Sequence, residues 1–211
     1  MTTTILKTEG SNVRTALLSI DELKPHEKGS PLYLGLLKQE ILRDGVLRYP
    51  IVVDARTGVI LDGMHRWLVL KSLGYRSIPS IPVDVFQKPV IRVGRRRIHQ
   101  YMNGSGDNIT IEKVLSAGLS GQLMEPRTTR HFFPFSKFQL INYPLRLLKK
   151  GEPCDVSSYL SKMTNKECSL AIREWVEEIS EELEFLAKRR AEVEREKEEF
   201  MDRVKGLGDS F

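Results

Sequence analysis

The feature that most constrains the fold is the stretch from residue 50 to residue 74, where two short β-rich runs lead directly into a helical pattern. PIVVD and VILD flank Arg56-Thr57-Gly58, which predicts a hairpin or tight strand pair. HRWLVLKSLG then has apolar residues at 67, 68, 70 and 73 and ends at Gly74, as a helix would. A strand that passes through Asp62-Gly63 into a helix indicates a sheet with helices packed on it.

The neighbouring segments extend this alternation. TALLSI (15–20) and IPSIPVDVF (78–86) predict strands, and the prolines of the second favour a sheet edge or the strand's first residues. Apolar positions repeat at helical spacing from residue 32 to 42, and a short helix is predicted at 110–119. We therefore predict a mixed α/β (α+β) domain over residues 1–150.

Residues 151–211 differ in charge and periodicity. They hold 10 basic and 16 acidic residues, whereas residues 1–150 hold 23 basic and 12 acidic ones. Apolar residues recur seven apart from 172 to 200, with Arg190 and Lys197 interrupting the companion seam. This pattern predicts a helical C-terminal extension, which either forms a homodimer or captures a partner, or lies on the domain as a solvated helix.

The bulk properties limit the class of protein. A basic domain favours an anionic partner, which could be nucleic acid, a nucleotide or another phosphorylated ligand. No apolar run approaches the roughly 20 residues that span a bilayer, and MTTTILKTEG does not have the layout of a secretory signal. Cys154 and Cys168 are expected to be free thiols, and a cytoplasmic location is the default.

ILDGMHRW (60–67) is the first candidate site. Gly63 at a strand-to-helix junction allows close backbone approach, and the helix start offers N–H groups to an anion. His65 and Arg66 fall in the first turn, where cations are unfavourable unless an anion lies between them and the helix dipole. Asp62 could cap the helix or hold a magnesium ion, and His65 could instead be a structural imidazole.

PRTTRH (126–131) and KPHE (24–27) are the other two candidates. Arg127 and Arg130 offer planar forks to phosphate oxygens, and the two threonines between them offer hydroxyl and backbone donors, although a surface loop with salt bridges would look the same. Glu27 could act as a general base or be only a solvated charge. Three of the four histidines fall within the three segments, namely His26, His65 and His131.

These three elements together resemble the ParB/sulfiredoxin superfamily, and within it the archaeal free serine kinases. KPHE, DGMHRW and PRTTRHFFPF stand where that family has a KPHE-type loop, a DGHHRW-type element and a PKTTRH-type segment. The resemblance implies a nucleotide-binding fold and transfer of a phosphoryl group from ATP or ADP, with Mg²⁺, to free L-serine. It also implies a product, O-phospho-L-serine, that belongs to serine and cysteine metabolism.

The resemblance further implies roles for individual residues. Glu27 would be the catalytic base that meets L-serine, with Asp62 and His65 as further catalytic residues and Asp62 as a Mg²⁺ ligand. The remaining set would bind the nucleotide and consists of Gly63, Met64, His65, Arg66, Trp67, Arg127, Thr128, Thr129, Arg130 and His131.

Three other functions compete with this interpretation. Sulfiredoxin activity is disfavoured because Met64 stands where that branch has a nucleophilic cysteine. A ParB-like DNA-binding protein would suit the basic domain, but we find no convincing helix-turn-helix, and the acidic tail would repel DNA. A kinase of another small hydroxyl compound is the third. Membrane association is not expected.

Overall fold

The computed structural model describes residues 4–6, 14–87, 91–95, 108–137, 139–162 and 164–208, and the chain divides into two compact units, Met1–Thr164 and Asn165–Phe211. The strands are β1 Thr4–Leu6, β2 Thr15–Ser19, β3 Val46–Leu47, β4 Ile51–Asp54, β5 Ile60–Asp62, β6 Ser77–Val83, β7 Arg92–Arg95, β8 Thr129–Phe132 and β9 Tyr143–Pro144. The α-helices are α1 Pro31–Asp44, α2 Met64–Ser72, α3 Ile111–Ser120 and α4 Asn165–Gly208.

The main sheet has five strands in the order β1-β2-β6-β4-β5, and only the β4–β6 pair is parallel. β4 and β5 form the predicted antiparallel pair, joined by a turn in which the Asp54 carboxylate accepts hydrogen bonds from the backbone N–H and the hydroxyl of Thr57. Two further strand pairs, β3 with β9 and β7 with β8, lie outside this sheet. The predicted mixed α/β class is confirmed.

Of the two positions that the prolines of β6 favour, a sheet edge is wrong, because the strand lies at the centre of the sheet, whereas Pro79 does fall among the strand's first residues. The Val83 carbonyl accepts a hydrogen bond from the backbone N–H of Ala55, just past β4. The backbone N–H and C=O groups of odd-numbered residues in β6 therefore point toward β4, and those of even-numbered residues point toward β2. The nitrogen of Pro79 points toward β4, one residue before Ser80, which is the first residue of β6 to pair with β4. The nitrogen of Pro82 points toward β2, beyond Ser80, which is the last residue of β6 to pair with β2. Neither proline therefore removes a ladder hydrogen bond, so a central strand tolerates both.

Side chains alternate across the sheet and fill two cores. Ile51 and Val53 of β4 join the core that contains Trp67 and Leu68 of α2, whereas Val52 joins the core on the other face, with Val114 of α3. Both faces are covered, so β4 is buried along its whole length. Because β4 is buried and β5 pairs with it, the position of Asp62, the last residue of β5, at the start of α2 is fixed.

The C-terminal helix, α4, forms the second unit by itself and is the helical extension that the sequence predicts. Residues 151–162, which the sequence assigned to the extension, belong to the first unit, where Gly151 donates to Gly74 O and Ser161 donates to Gly29 O. None of the helices in the described part of the chain is long and apolar enough to cross a membrane.

Candidate active site

The KPHE segment is held in place from both sides by backbone hydrogen bonds. On one side Lys24 donates to Gly58 O and accepts from Ile60 N, so the segment runs beside the β4–β5 hairpin. On the other side Met124 N donates to His26 O, and Lys28 N donates to Met124 O. Backbone hydrogen bonds therefore hold KPHE between the β4–β5 hairpin and the segment that leads into PRTTRH.

Glu27 lies against β8. Its Oε2 atom accepts hydrogen bonds from the backbone N–H of Thr129 at 3.2 Å and from the Thr129 hydroxyl at 3.1 Å. The Glu27 side chain is 13% exposed, which leaves it reachable but largely shielded from water. Two donors on one carboxylate oxygen fix the orientation of the group, as a positioned general base requires.

The junction between β5 and α2 has an open helix start. Gly63 is the N-cap residue with φ of 91°, and no side chain caps the helix. A Cβ atom at this position would lie 2.4 Å from Ile51 Cγ2, so only glycine fits. Asp62 does not cap α2, so the start of the helix, where its dipole is positive, has no side-chain cap.

Asp62 instead forms two ion pairs. One oxygen lies 2.7 Å from Arg66 Nη2 and the other 3.2 Å from Lys137 Nζ. Burial alone would raise the pKa of Asp62, but the charges of Lys137 and Arg66 outweigh it and hold that pKa well below its usual value of 3.8. The carboxylate is therefore a counter-ion that places two cations beside the start of α2.

This arrangement does not fit the predicted role of Asp62 as a magnesium ligand. Both of its oxygens are engaged by cations, and no group of three or more acidic, histidine or cysteine side chains that could hold a metal occurs in the described ranges. Mg²⁺ commonly binds through one or two carboxylates together with substrate phosphates and water. Asp62 is thus already paired with two cations, and a magnesium ion would be held mainly by the phosphates of the nucleotide.

The ion pairs of Asp62 lead to a pH-dependent stability. Because the folded-state pKa is lowered, the stabilisation is complete above the unfolded value of 3.8 and is lost as the pH falls through the folded value. We expect Asp62→Asn to lower the free energy of unfolding by about 1–3 kcal/mol at neutral pH. The difference from wild type should stay constant down to about pH 4 and narrow below it, as measured by urea unfolding across pH; a difference that grew in acid would contradict this assignment.

Arg66 and Arg127 carry further signs of an anion site. Nε of Arg66 is buried and has no hydrogen-bond partner among the described residues, although Nη2 binds Asp62. Arg127 has φ of 59°, a left-handed backbone that is unusual for arginine and is often found at functional positions. Its guanidinium lies 5.8 Å from the ring of Tyr33, which also contacts the ring of His65.

The PRTTRH residues separate by strand alternation. Thr129 and His131 point inward from β8 and are buried, with the His131 ring edge-on to His26 at 5.4 Å between centroids. Arg130 points to the other face, where it lies over the ring of Phe132. Thr128 donates its hydroxyl to Glu125 O within the loop. Glu27 is therefore joined by Thr129 but not by Arg130.

Three residues of the predicted nucleotide set lie elsewhere. Met64 is buried in the core, and the Trp67 ring is 1% exposed and donates to Ile20 O, so its ring has no surface left for a nucleotide. Nε2 of His65 accepts a hydrogen bond from Ser30 N at the start of α1, so this nitrogen carries no proton. His65 therefore links the starts of α1 and α2, in keeping with the structural alternative.

Sequence reasoning missed Lys137. It follows the aromatic run FFPF by two residues, and nothing in its local spacing distinguishes it from other surface lysines. Its side chain is only 19% exposed and reaches Asp62, 75 residues away in the chain. The apolar run FFPF after PRTTRH is the one signal in the sequence that could have indicated that a lysine just beyond it lies near the site.

The first unit is thus a mixed α/β domain that holds a shielded glutamate, two cations paired with Asp62 and a helix start without a side-chain cap. No protein-family model matches the chain. The ATP-dependent L-serine kinase of Staphylothermus marinus is 37% identical over 83 residues, which are 37% of this chain and 33% of that protein. A ParB-like protein of Sulfolobus acidocaldarius is 40% identical over 76 residues, which are 35% of this chain and 37% of that protein. The aligned segments span about a third of these curated relatives.

A solved structure, free serine kinase in complex with AMP, matches with a TM-score of 0.55 at 17% identity, over 68% of this chain and 99% of that chain. The fold is that of the free serine kinases, and the resemblance stated from the three motifs is confirmed in both sequence and fold.

Proposed function

We propose that this protein transfers the terminal phosphoryl group of ATP or ADP to the hydroxyl of free L-serine, giving O-phospho-L-serine. The observation that carries the proposal is the placement of Glu27, shielded and held by Thr129, three residues before Ser30, whose backbone N–H binds His65 in the first turn of α2. Such an arrangement supplies a base for the acceptor hydroxyl and backbone donors for phosphate oxygens. The matches to serine kinases in sequence and fold support this choice of reaction.

The proposed step needs little covalent work from the protein. The serine oxygen forms a bond to the terminal phosphorus while the bond from phosphorus to the leaving nucleotide oxygen breaks, and Glu27 takes the hydroxyl proton. Arg66 and Lys137 lie beside the helix start and offset the negative charge of the phosphates. Mg²⁺ bound to the nucleotide would add to that neutralisation.

The test is formation of O-phosphoserine from L-serine with magnesium, with ATP and ADP compared in parallel. Threonine, homoserine and inositol serve as alternative acceptors, and salt-dependent retention on DNA tests the partition-protein alternative. Phosphoserine formed with one nucleotide supports the proposal and identifies the donor. No phosphoserine with either nucleotide overturns it, and a product from another acceptor would assign a different substrate.

We also propose that the extension forms a homodimer through α4. Ile172, Leu186, Val193 and Phe200 are spaced at multiples of seven along the helix and are exposed in the single chain. Arg190 interrupts the companion seam. It pairs with Glu194 of the same helix at 3.1 Å, and this ion pair can hold the arginine side chain along the helix. A second copy would cover this apolar stripe.

The dimer is tested by light scattering coupled to size-exclusion chromatography. The double variant Leu186→Glu/Val193→Glu is expected to be monomeric where wild type is a dimer, because two carboxylates would be buried in the seam. Lys188→Glu changes the net charge by the same amount at an exposed position off the seam, and it should remain dimeric. A monomeric wild type at micromolar concentration would contradict the proposal.

A further inference from the structure

His26 makes two short contacts through its two ring nitrogens. Nδ1 lies 2.6 Å from Ile60 O, and Nε2 lies 2.8 Å from the Thr129 hydroxyl oxygen. A carbonyl oxygen can only accept, so Nδ1 carries a proton. The ring is 3% exposed, and His131 lies against it, so water has little access to either nitrogen.

The Thr129 hydroxyl connects this ring to Glu27. Its oxygen lies 3.1 Å from Glu27 Oε2, whereas His26 Nε2 and Glu27 Oε2 are 3.9 Å apart, too far for a direct hydrogen bond. The three polar groups therefore form a hydrogen-bonded chain in which the Thr129 hydroxyl bridges His26 and Glu27. All of them lie beside the first residue of β5, through the contact of His26 Nδ1 with Ile60 O.

Counting protons shows what this chain can hold. The hydroxyl has one proton, so it can donate to Nε2 or to Oε2 but not to both. Both contacts become hydrogen bonds only if Nε2 is protonated and Glu27 is ionised, or if His26 is neutral and Glu27 is protonated. Either state contains one proton more than a neutral imidazole beside a carboxylate. The hydrogen-bonded series of His26, Thr129 and Glu27 can therefore hold a single added proton.

We propose that His26 acts through Thr129 as a positioning residue that receives the proton taken up by Glu27, an inference that rests on the proposed kinase function. Glu27 takes the proton of the acceptor hydroxyl as the new oxygen–phosphorus bond forms. Glu27 then passes a proton to the Thr129 oxygen, and Thr129 passes its own proton to Nε2. The carboxylate is regenerated, and the imidazolium holds the proton until it returns to solvent.

Thr129→Val and Thr129→Ser form a matched pair for testing this relay. Valine has the shape of threonine without the hydroxyl, and both variants keep the backbone N–H that orients Glu27. We expect Thr129→Val to lower kcat by about 10–100-fold, the range for losing an outer partner of a reactive group. The KM for the nucleotide should stay near the wild-type value, and Thr129→Ser should recover most of the lost kcat.

The result separates the relay from the kinase proposal. An active wild type with an equally active Thr129→Val variant, or a Thr129→Ser variant as slow as Thr129→Val, would overturn the relay alone. If wild type makes no phosphoserine, the kinase proposal fails, and ¹⁵N NMR of the imidazole rings tests the relay directly. The Nε2 resonance of His26 should then move in Thr129→Val and not in Thr129→Ser; an unmoved resonance in both would overturn the relay.

Discussion

Glu27→Gln is expected to lower kcat for phosphoserine formation by about 10²–10⁴, the usual contribution of a general base. The amide has nearly the shape of the carboxylate and can still accept from Thr129 N, so the loop should keep its position. What the amide cannot do is take a proton from the acceptor hydroxyl. The nucleotide affinity should therefore change little while kcat falls, and the comparison is made by steady-state kinetics and calorimetric titration of the nucleotide.

Glu125→Gln is the matched control, because it makes the same chemical change two residues before Arg127. Glu125 is exposed, and its pair with Lys28 lies at the surface, where ion pairs contribute little. Its kcat should stay within about twofold of wild type. A Glu27→Gln enzyme as fast as this control would exclude Glu27 as the base.

Gly63→Ala is expected to lower the free energy of unfolding by about 2–5 kcal/mol, combining a left-handed backbone with an overpacked contact. The added methyl group would lie 2.4 Å from Ile51 Cγ2 and 2.7 Å from Arg66 Nη2. Ile51 is fully buried in β4 and cannot move aside without disturbing the sheet. Urea unfolding should show a lower midpoint, and the displaced Arg66 should also weaken nucleotide binding.

Gly35→Ala is the comparison variant for Gly63→Ala and is expected to change the free energy of unfolding in the opposite direction. Gly35 lies on the exposed side of α1, and a Cβ atom there would meet nothing within 4 Å. Alanine favours a helix over glycine by about 0.5–1 kcal/mol, so this variant should be slightly more stable than wild type. Equal effects of the two substitutions would contradict the steric account of Gly63.

Local patterns were enough to predict β4, β5 and α2, but they did not predict β8, the strand that holds Thr129. The residues around Gly58 and Gly63 predict a strand pair and a strand-to-helix junction because turn chemistry and periodicity act over a few residues. The prolines of β6 favour a sheet edge or the strand's first residues, and the edge is wrong because the sequence does not show which neighbouring strand each missing N–H would face. Sheet order depends on contacts between distant segments, which local spacing does not contain.

In the candidate site, too, the residues that belong to a motif could be predicted, and the contacts that depend on the fold could not. Glu27 and Thr129 could be expected to meet because the resemblance supplied both motifs, whereas Lys137 had no motif to indicate it. Trp67 follows a polar pair and was assigned to the nucleotide, but helical periodicity turns its ring to the core. Arg130 is carried to the far face of β8 by strand alternation, an effect that depends on the secondary structure of PRTTRH.

The hydrogen bond between Glu27 and Thr129 joins residues that are 102 positions apart in the chain. During synthesis the amino-terminal segment therefore emerges with its glutamate long before the strand that orients it exists. A partly made or carboxy-terminally shortened chain can form the β4–β5 hairpin and still lack an oriented glutamate. Catalytic competence would thus arise in one late event, so that incomplete products of translation would not consume nucleotide.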